Sequence, residues 1–375
     1  MSWLNILYKV KNGAQPNPNP SISARVHVNY WKLPVKKHFW NSKSYTRSLD
    51  IGVVLENVSD DIEDVAICLP FSVNTDNVRD LSECLHNETF VSHLLNGRYR
   101  CFTLTDCPTY RYLQLQDEQE EGKNLCLYEV CDESKEIVKL NKGCMLLIKI
   151  LSYPKNLNEI KEKPSKESAE DNKYNLYFRI RISNLSENDL CFNEDISNDF
   201  IQSAFSKSEM AEIVFNDKRN INHSDFQTIT RERSFITLSK IDFFFSGSSE
   251  EETVTGSSPF NDCELLDSDL WKAYLSGINT SSKKCLSYHW SVDESRKNKV
   301  FFKTVYSSHN RKKILKYALC VILLSFLASC FLELSKAGIK AFRQNYNNDS
   351  TTSIETVSDS LSYKQTNTFS SDENK

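Results

Sequence analysis

The sequence predicts a mainly β protein: antiparallel, sandwich-like domains, a few short helices and one C-terminal transmembrane helix. Three observations carry this. Apolar residues alternate with period two in segment after segment of the first 310 residues. Polar stretches rich in Asn, Asp, Ser and Pro separate those segments at strand-like intervals. Near the end, Tyr317-Ala-Leu-Cys-Val-Ile-Leu-Leu-Ser-Phe-Leu-Ala-Ser-Cys-Phe-Leu332 runs without a charged residue.

In chain order, Trp3–Val10 reads as a strand ending at the turn signal Lys11-Asn-Gly13. Gln15–Pro20 alternates Pro with Asn, which neither a helix nor a central strand accommodates. Ile22–Tyr30 alternates, with Ile22, Ala24, Val26, Val28 and Tyr30 on one face and His27 on the outward, solvated face. Leu49–Glu56 and Asp64–Phe71 follow as strands. Asp76 is expected to cap a short helix through Leu85, with Val78, Leu81 and Leu85 on one side. Tyr99–Thr105, Tyr110–Gln116, Leu125–Val130 and Cys144–Tyr153 complete a β-rich domain over residues 1–153.

Residues 154–173 are polar and densely charged with mixed sign. They read as a linker at a domain boundary, or as a long loop inside one domain. A second β-rich, α+β domain is expected over 174–310. Its clearest strand is Tyr174–Ser183, with Tyr174, Leu176, Phe178, Ile180 and Ile182 inward and Asn175, Arg179, Arg181 and Ser183 outward. Ser208–Phe215 fits helix and strand alike, and Phe226–Phe245 contains strand material. Ser246–Pro259 is a loop, Leu265–Leu275 resembles a short helix, and Val300–Tyr306 is a last strand.

The apolar run, extended to Ile314–Leu334, meets the length of about 20 residues that a bilayer core requires. Tyr317, Leu319, Val321, Ile322, Leu323, Leu324, Phe326, Leu327, Phe331 and Leu332 form the membrane anchor, and the lipid bilayer is its partner. Arg311, Lys312, Lys313 and Lys316 precede it; Lys336, Lys340 and Arg343 follow. That excess predicts a cytoplasmic N-terminal body and a tail outside. Ala318, Ser325 and Ser329 are small residues that permit close helix–helix approach, hence homo-oligomerisation. Lys336, Lys340 and Arg343 share a helical face suited to a headgroup layer. Residues 335–375 are expected to be a juxtamembrane segment and a disordered polar tail, the tail beginning at Asn345.

Composition narrows the function classes. A chain of 375 residues with 39% hydrophobic and 11% aromatic residues can build sizeable cores. A net charge of -4 provides no general field for nucleic acid, which is not expected as a partner. With 9 Gly there is no Gly-rich phosphate loop, and no Gly-x-Ser-x-Gly or His-Glu-x-x-His motif occurs. The start lacks a basic segment followed by a long apolar one, so no signal peptide is expected, and the 12 Cys are expected to be reduced. No Cys-x-x-Cys spacing exists. No catalytic, cofactor-binding or metal-binding residue is nominated, and no cofactor is expected.

One stretch, Asn29–Trp40, interleaves Tyr30, Trp31 and Trp40 with Lys36 and Lys37. It reads either as a strand edge with core aromatics and guarding lysines, or as an aromatic and basic contact patch. The expected function is a single-pass membrane-anchored protein, not an enzyme, whose cytosolic body senses or docks a protein partner. The alternative is a membrane-perturbing effector whose helices self-associate when the body is triggered.

Overall fold

A computed structural model describes residues 2–11, 22–35, 44–58, 61–95, 98–104, 110–116, 124–151, 174–194, 206–249, 251–255, 259–266, 271, 273–278, 284–293, 298–307 and 311–352. Its strands are β1 (Ser2–Val10), β2 (Ser23–Val35), β3 (Ser44–Val58), β4 (Ile62–Leu69), β5 (Val78–Asp80), β6 (Tyr99–Thr103), β7 (Tyr110–Leu115), β8 (Leu125–Tyr128), β9 (Lys135–Lys139) and β10 (Cys144–Lys149). Then come β11 (Tyr174–Ile182), β12 (Cys191–Glu194), β13 (Ser206–Phe215), β14 (Ser234–Phe235), β15 (Thr237–Ser248), β16 (Glu252–Thr255), β17 (Asp262–Leu266), β18 (Cys285–Asp293) and β19 (Lys299–Ser307). The α-helices described throughout their length are α1 (Glu88–Leu95), α2 (His223–Thr230) and α3 (Arg311–Thr352).

The strands form two sheets. The first runs β16-β19-β13-β1-β4-β10-β9, with β12 beside β13 and β14 beside β1. The second runs β17-β18-β15-β2-β3-β11-β8-β7-β6, with β5 beside β11. The expected β-rich class holds, but the sheets are mixed: β1 lies parallel to β13, β2 to β15, and β8 to β11.

These long-range pairs overturn the expected division at 154–173. Strands from both sides of that segment share both sheets, so Met1–Asn310 is one compact unit and Arg311–Lys375 a second. Segment 154–173 itself lies outside the described residues. A local pattern of charge marks a loop, but it carries no information about which strands pair across it.

Three cores follow from the pleat. Inward residues of both sheets, among them Ile6, Val65, Ile67 and Ile213 from the first and Val26, Val28, Ile51, Val53, Phe178 and Ile180 from the second, form the central core. The opposite face of the second sheet buries Trp31, Val54, Leu113 and Tyr177 under α1, a 3-10 turn at Ser82–His86, and Trp271 and Tyr274. The opposite face of the first sheet buries Trp3, Leu7, Ala66 and Met145 under Ile229 of α2.

Several local expectations change. Asp76–Leu85 forms no α-helix; it is a 3-10 turn at Thr75–Asn77, then β5, then the turn at Ser82–His86. The pairing of β5 with Ile180–Ile182 and the bond from Ser82 N–H to the Asp80 carboxylate compete with helix formation there. The strand material expected within Phe226–Phe245 is β14 and β15, while residues 223–230 before it are helical because Asn222 caps them, accepting from the Asp225 N–H at 2.8 Å. Ser208–Phe215 resolves to strand within β13, while Asp262–Leu266 is an edge strand that takes the start of the expected helix at Leu265. The tight turn between β9 and β10 requires Gly143, whose φ of 100° is left-handed and whose Cβ would meet the Leu69 carbonyl.

Candidate functional site

Two features carry the chemistry: an outward-facing apolar helix, and ionised side chains buried on the outer face of the second sheet. The helix comes first. Within α3, Ile314–Asn345 is long and apolar enough to cross a membrane, with mean hydropathy 2.2 over its most apolar window and none of that window buried. Leu319, Val321, Ile322, Leu323, Leu324, Phe326, Leu327, Phe331 and Leu332 are all exposed, and Tyr317 is half-buried. Withdrawing each such large apolar side chain from water is worth about 1.5–3 kcal/mol. Nine such side chains exposed on one helix are compatible with a membrane span.

The helix outruns its expected end at Leu334. It continues through Lys336, Lys340 and Arg343 to Thr352, so Asn345–Thr352 is helical where a polar tail was expected. No Pro interrupts it, and Ala337, Lys340, Ala341, Arg343 and Gln344 are strong helix formers. Residues 353–375 lie outside the described residues. Arg311, Lys312 and Lys313 open the helix, with Lys316 exposed one turn later. Ser325 Oγ donates to the Val321 carbonyl at 2.8 Å and Ser329 Oγ to the Ser325 carbonyl at 3.0 Å. Both hydroxyls are thus satisfied within their own helix; what they and Ala318 offer a second helix is small size.

The expected contact patch at Tyr30–Trp40 divides differently. Tyr30 is buried in the central core and Trp31 in the outer one, so neither is a contact residue. The reason is position: β2 lies between β3 and β15 and is covered on both faces, not at an edge. Lys36, Lys37 and Trp40 lie outside the described residues.

Trp31 leads to a buried ionic network. Asp50, fully buried, accepts from Trp31 Nε1 at 2.7 Å, Tyr274 Oη at 2.6 Å, and Arg181 Nε and Nη2 at 2.7 and 2.8 Å. Arg179 donates from Nε to Tyr274 Oη at 2.7 Å and from Nη2 to Asn29 Oδ1 at 2.6 Å. Arg181 Nη1 donates to the Tyr274 carbonyl at 2.9 Å. Both arginines were expected on an outward, solvated face. They are buried because Tyr274 and the turn around Leu81 cover that face of β11. Burial opposes charge on Asp50, but the Arg181 guanidinium outweighs it and holds the carboxyl below its usual range. Two cations therefore share one buried anion.

A second buried ionic set joins the two sheets. Lys32 Nζ lies 2.6 Å from Glu209 Oε2 and 3.1 Å from Glu251 Oε2, and Arg47 Nη2 lies 2.8 Å from Glu209 Oε1. Lys32 and Arg47 come from β2 and β3, Glu209 from β13. Removing one member of the set would strand a buried charge, which is strongly destabilising.

A cleft of about 120 Å³ opens on the same outer face of the second sheet. His27, Asp242 and His289 stand together in its wall, with Leu94, Leu95, Tyr99 and Phe244 around them. His289 Nε2 lies 2.9 Å from Asp242 Oδ1, His27 Nε2 lies 3.8 Å from Asp242 Oδ2, and Lys240 Nζ lies 3.0 Å from the same Oδ2. His27, expected to be solvated, is buried beside Tyr177, and burial pushes its imidazole down to about 3, so it is neutral. Burial raises Asp242, but the His289 hydrogen bond and the Lys240 charge outweigh that, and the carboxyl stays ionised. With Lys240 already its counter-ion, Asp242 is electrostatically satisfied. Among the described residues no group of three His, Cys, Asp or Glu is arranged to hold a metal ion.

No protein-family model matches the chain and no curated protein shows significant similarity to it. The apolar helix was legible from the run of uncharged residues. The buried networks were not, because alternation alone gives Arg179, Arg181 and His27 the signature of solvent-facing positions.

Proposed function

We propose that this chain is a single-pass membrane protein whose β-rich body, held on the cytoplasmic side, docks a protein partner at the membrane surface. The observation that carries the reading is the contrast between α3 and the body. The body buries its apolar side chains in three cores, whereas the apolar side chains of Ala318–Leu332 are exposed. Orientation is supported by four basic residues at Arg311–Lys316 against three at Lys336–Arg343, the more basic flank staying cytoplasmic.

The test compares the full chain with residues 1–310. The full chain should sediment with membranes and residues 1–310 should stay soluble. Protease added outside intact cells should remove the segment after Leu332 and spare the body. Digestion of the body from outside would overturn the orientation. Growth arrest and loss of membrane potential on induction of the full chain, absent with residues 1–310, would favour a membrane-perturbing effector instead.

A further inference from the structure

The helix is longer than any bilayer needs. Forty-two residues at about 1.5 Å each span about 63 Å, against about 30 Å for a hydrocarbon core. The excess on the C-terminal side is not uniformly polar. At about 100° per residue, Lys336, Lys340 and Arg343 fall within roughly 60° of one another, whereas Leu334, Gly338, Ala341 and Phe342 cluster on the opposite side. Leu334, Ile339 and Phe342 are all exposed, at 70%, 65% and 75%. In residues 333–345 the acidic side chain is Glu333, paired with Lys336 at 2.9 Å, which leaves a net charge of two positives.

We propose that residues 335–345 form a collar that lies on the headgroup layer and binds anionic phospholipid. The proposal rests on the membrane-anchored reading above. A helix continuing straight into water would leave Leu334 and Phe342 solvated, while one sunk into hydrocarbon would bury Lys340 and Arg343 without counter-ions. Lying at the interface resolves both: Phe342, Leu334 and Ala341 enter the acyl boundary, and the three basic side chains reach lipid phosphates. Gly338, the weakest helix former in the segment and with open space around it, is where the axis can bend to turn from spanning to lying. The chemistry recognised is the phosphate of an anionic headgroup, by charge complementarity, and needs no particular lipid.

Hydrogen exchange on the full chain in two vesicle types tests this: phosphatidylcholine alone, and phosphatidylcholine mixed with phosphatidylglycerol. Three cations at an anionic surface supply an affinity gain on the order of 100-fold. Amides of residues 337–345 should accordingly exchange about tenfold or more slowly in the anionic vesicles. The difference should vanish in the Lys336→Gln, Lys340→Gln, Arg343→Gln variant. It should also shrink for the native chain at about 0.5 M salt, where screening shortens electrostatic reach to a few ångströms. Equal exchange in both vesicle types, whether fast or slow, overturns the collar. The same data judge the anchor separately: Tyr317–Leu332 must be protected in both lipids, and its rapid exchange would instead overturn the membrane-spanning reading.

Discussion

Replacing Asp50 by Asn probes the buried ionic network on which the outer face of the second sheet depends. The side chain keeps its size but loses its charge and half its acceptor capacity. Four donor contacts now converge on the carboxylate, from Trp31, Tyr274 and two nitrogens of Arg181. In the variant, Arg179 and Arg181 remain fully buried with no anion between them. Removing one partner of a buried pair costs about 3–5 kcal/mol, and the amide adds an N–H pointed at other donors. With an unfolding entropy of about 2.1 cal/mol/K per residue, a body of some 310 residues has about 0.65 kcal/mol/K, so a loss of about 4 kcal/mol lowers Tm by about 6 °C. Chemical denaturation of residues 1–310, followed by tryptophan fluorescence and by near-UV circular dichroism, measures the change. Substituting Arg181→Met alongside Asp50→Leu should recover part of the loss, because the pair is then removed together. A cost below about 1 kcal/mol for Asp50→Asn would refute the assignment of Asp50 as the counter-ion of both arginines.

Other outcomes follow from the same geometry. Gly52→Ala would place a Cβ 2.7 Å from Tyr177 Oη and 2.9 Å from Arg179 Nη1, both fixed by their neighbours, so a loss of about 1–3 kcal/mol is expected in the same denaturation assay. Asp80, whose carboxyl is raised by burial to about 6 from an ordinary 3.8, favours the folded state when protonated. Its contribution is full below pH 4 and lost as pH rises through 6, an expected fall of about 3 kcal/mol that urea titrations between those pH values would register. A variant Asp80→Ala should lack that pH slope even though it loses the bonds to Ser82 and to the Val130 N–H.

How far the sequence reveals this protein depends on how local the cause is. The central core was legible: Ala24, Val26, Val28 and Tyr30 on β2, and Leu176, Phe178, Ile180 and Ile182 on β11, alternate as a buried face must, and all are buried. The opposite faces misled. Arg179, Arg181 and His27 carry the polar signature of solvent contact, yet chain segments around Leu81 and Tyr274, roughly 90 residues away on either side of β11, cover the arginines, while Tyr177 and Leu94 flank the histidine. Burial by distant segments leaves no periodic trace. Pairing was equally hidden: parallel β1–β13 and β2–β15 contacts join residues some 200 positions apart, which dissolves the boundary suggested by the charged segment 154–173. Of the expected anchor residues, all but the half-buried Tyr317 are exposed, whereas Tyr30 and Trp31 became core.

The claim on which the functional reading turns is that Tyr317–Leu332 sits in lipid, and its own cysteines can report this. Cys320, Cys330 and Cys263 are all exposed in the protein, the first two within the apolar run and the third on edge strand β17 of the body. Native membranes opened to both faces would be treated with a membrane-impermeant maleimide, and modification read residue by residue by mass spectrometry. Cys263 should be labelled while Cys320 and Cys330 stay unmodified until detergent is added, because hydrocarbon excludes both the reagent and the reactive thiolate. Labelling of Cys320 and Cys330 in intact membranes at the rate of Cys263 would contradict a membrane-spanning helix.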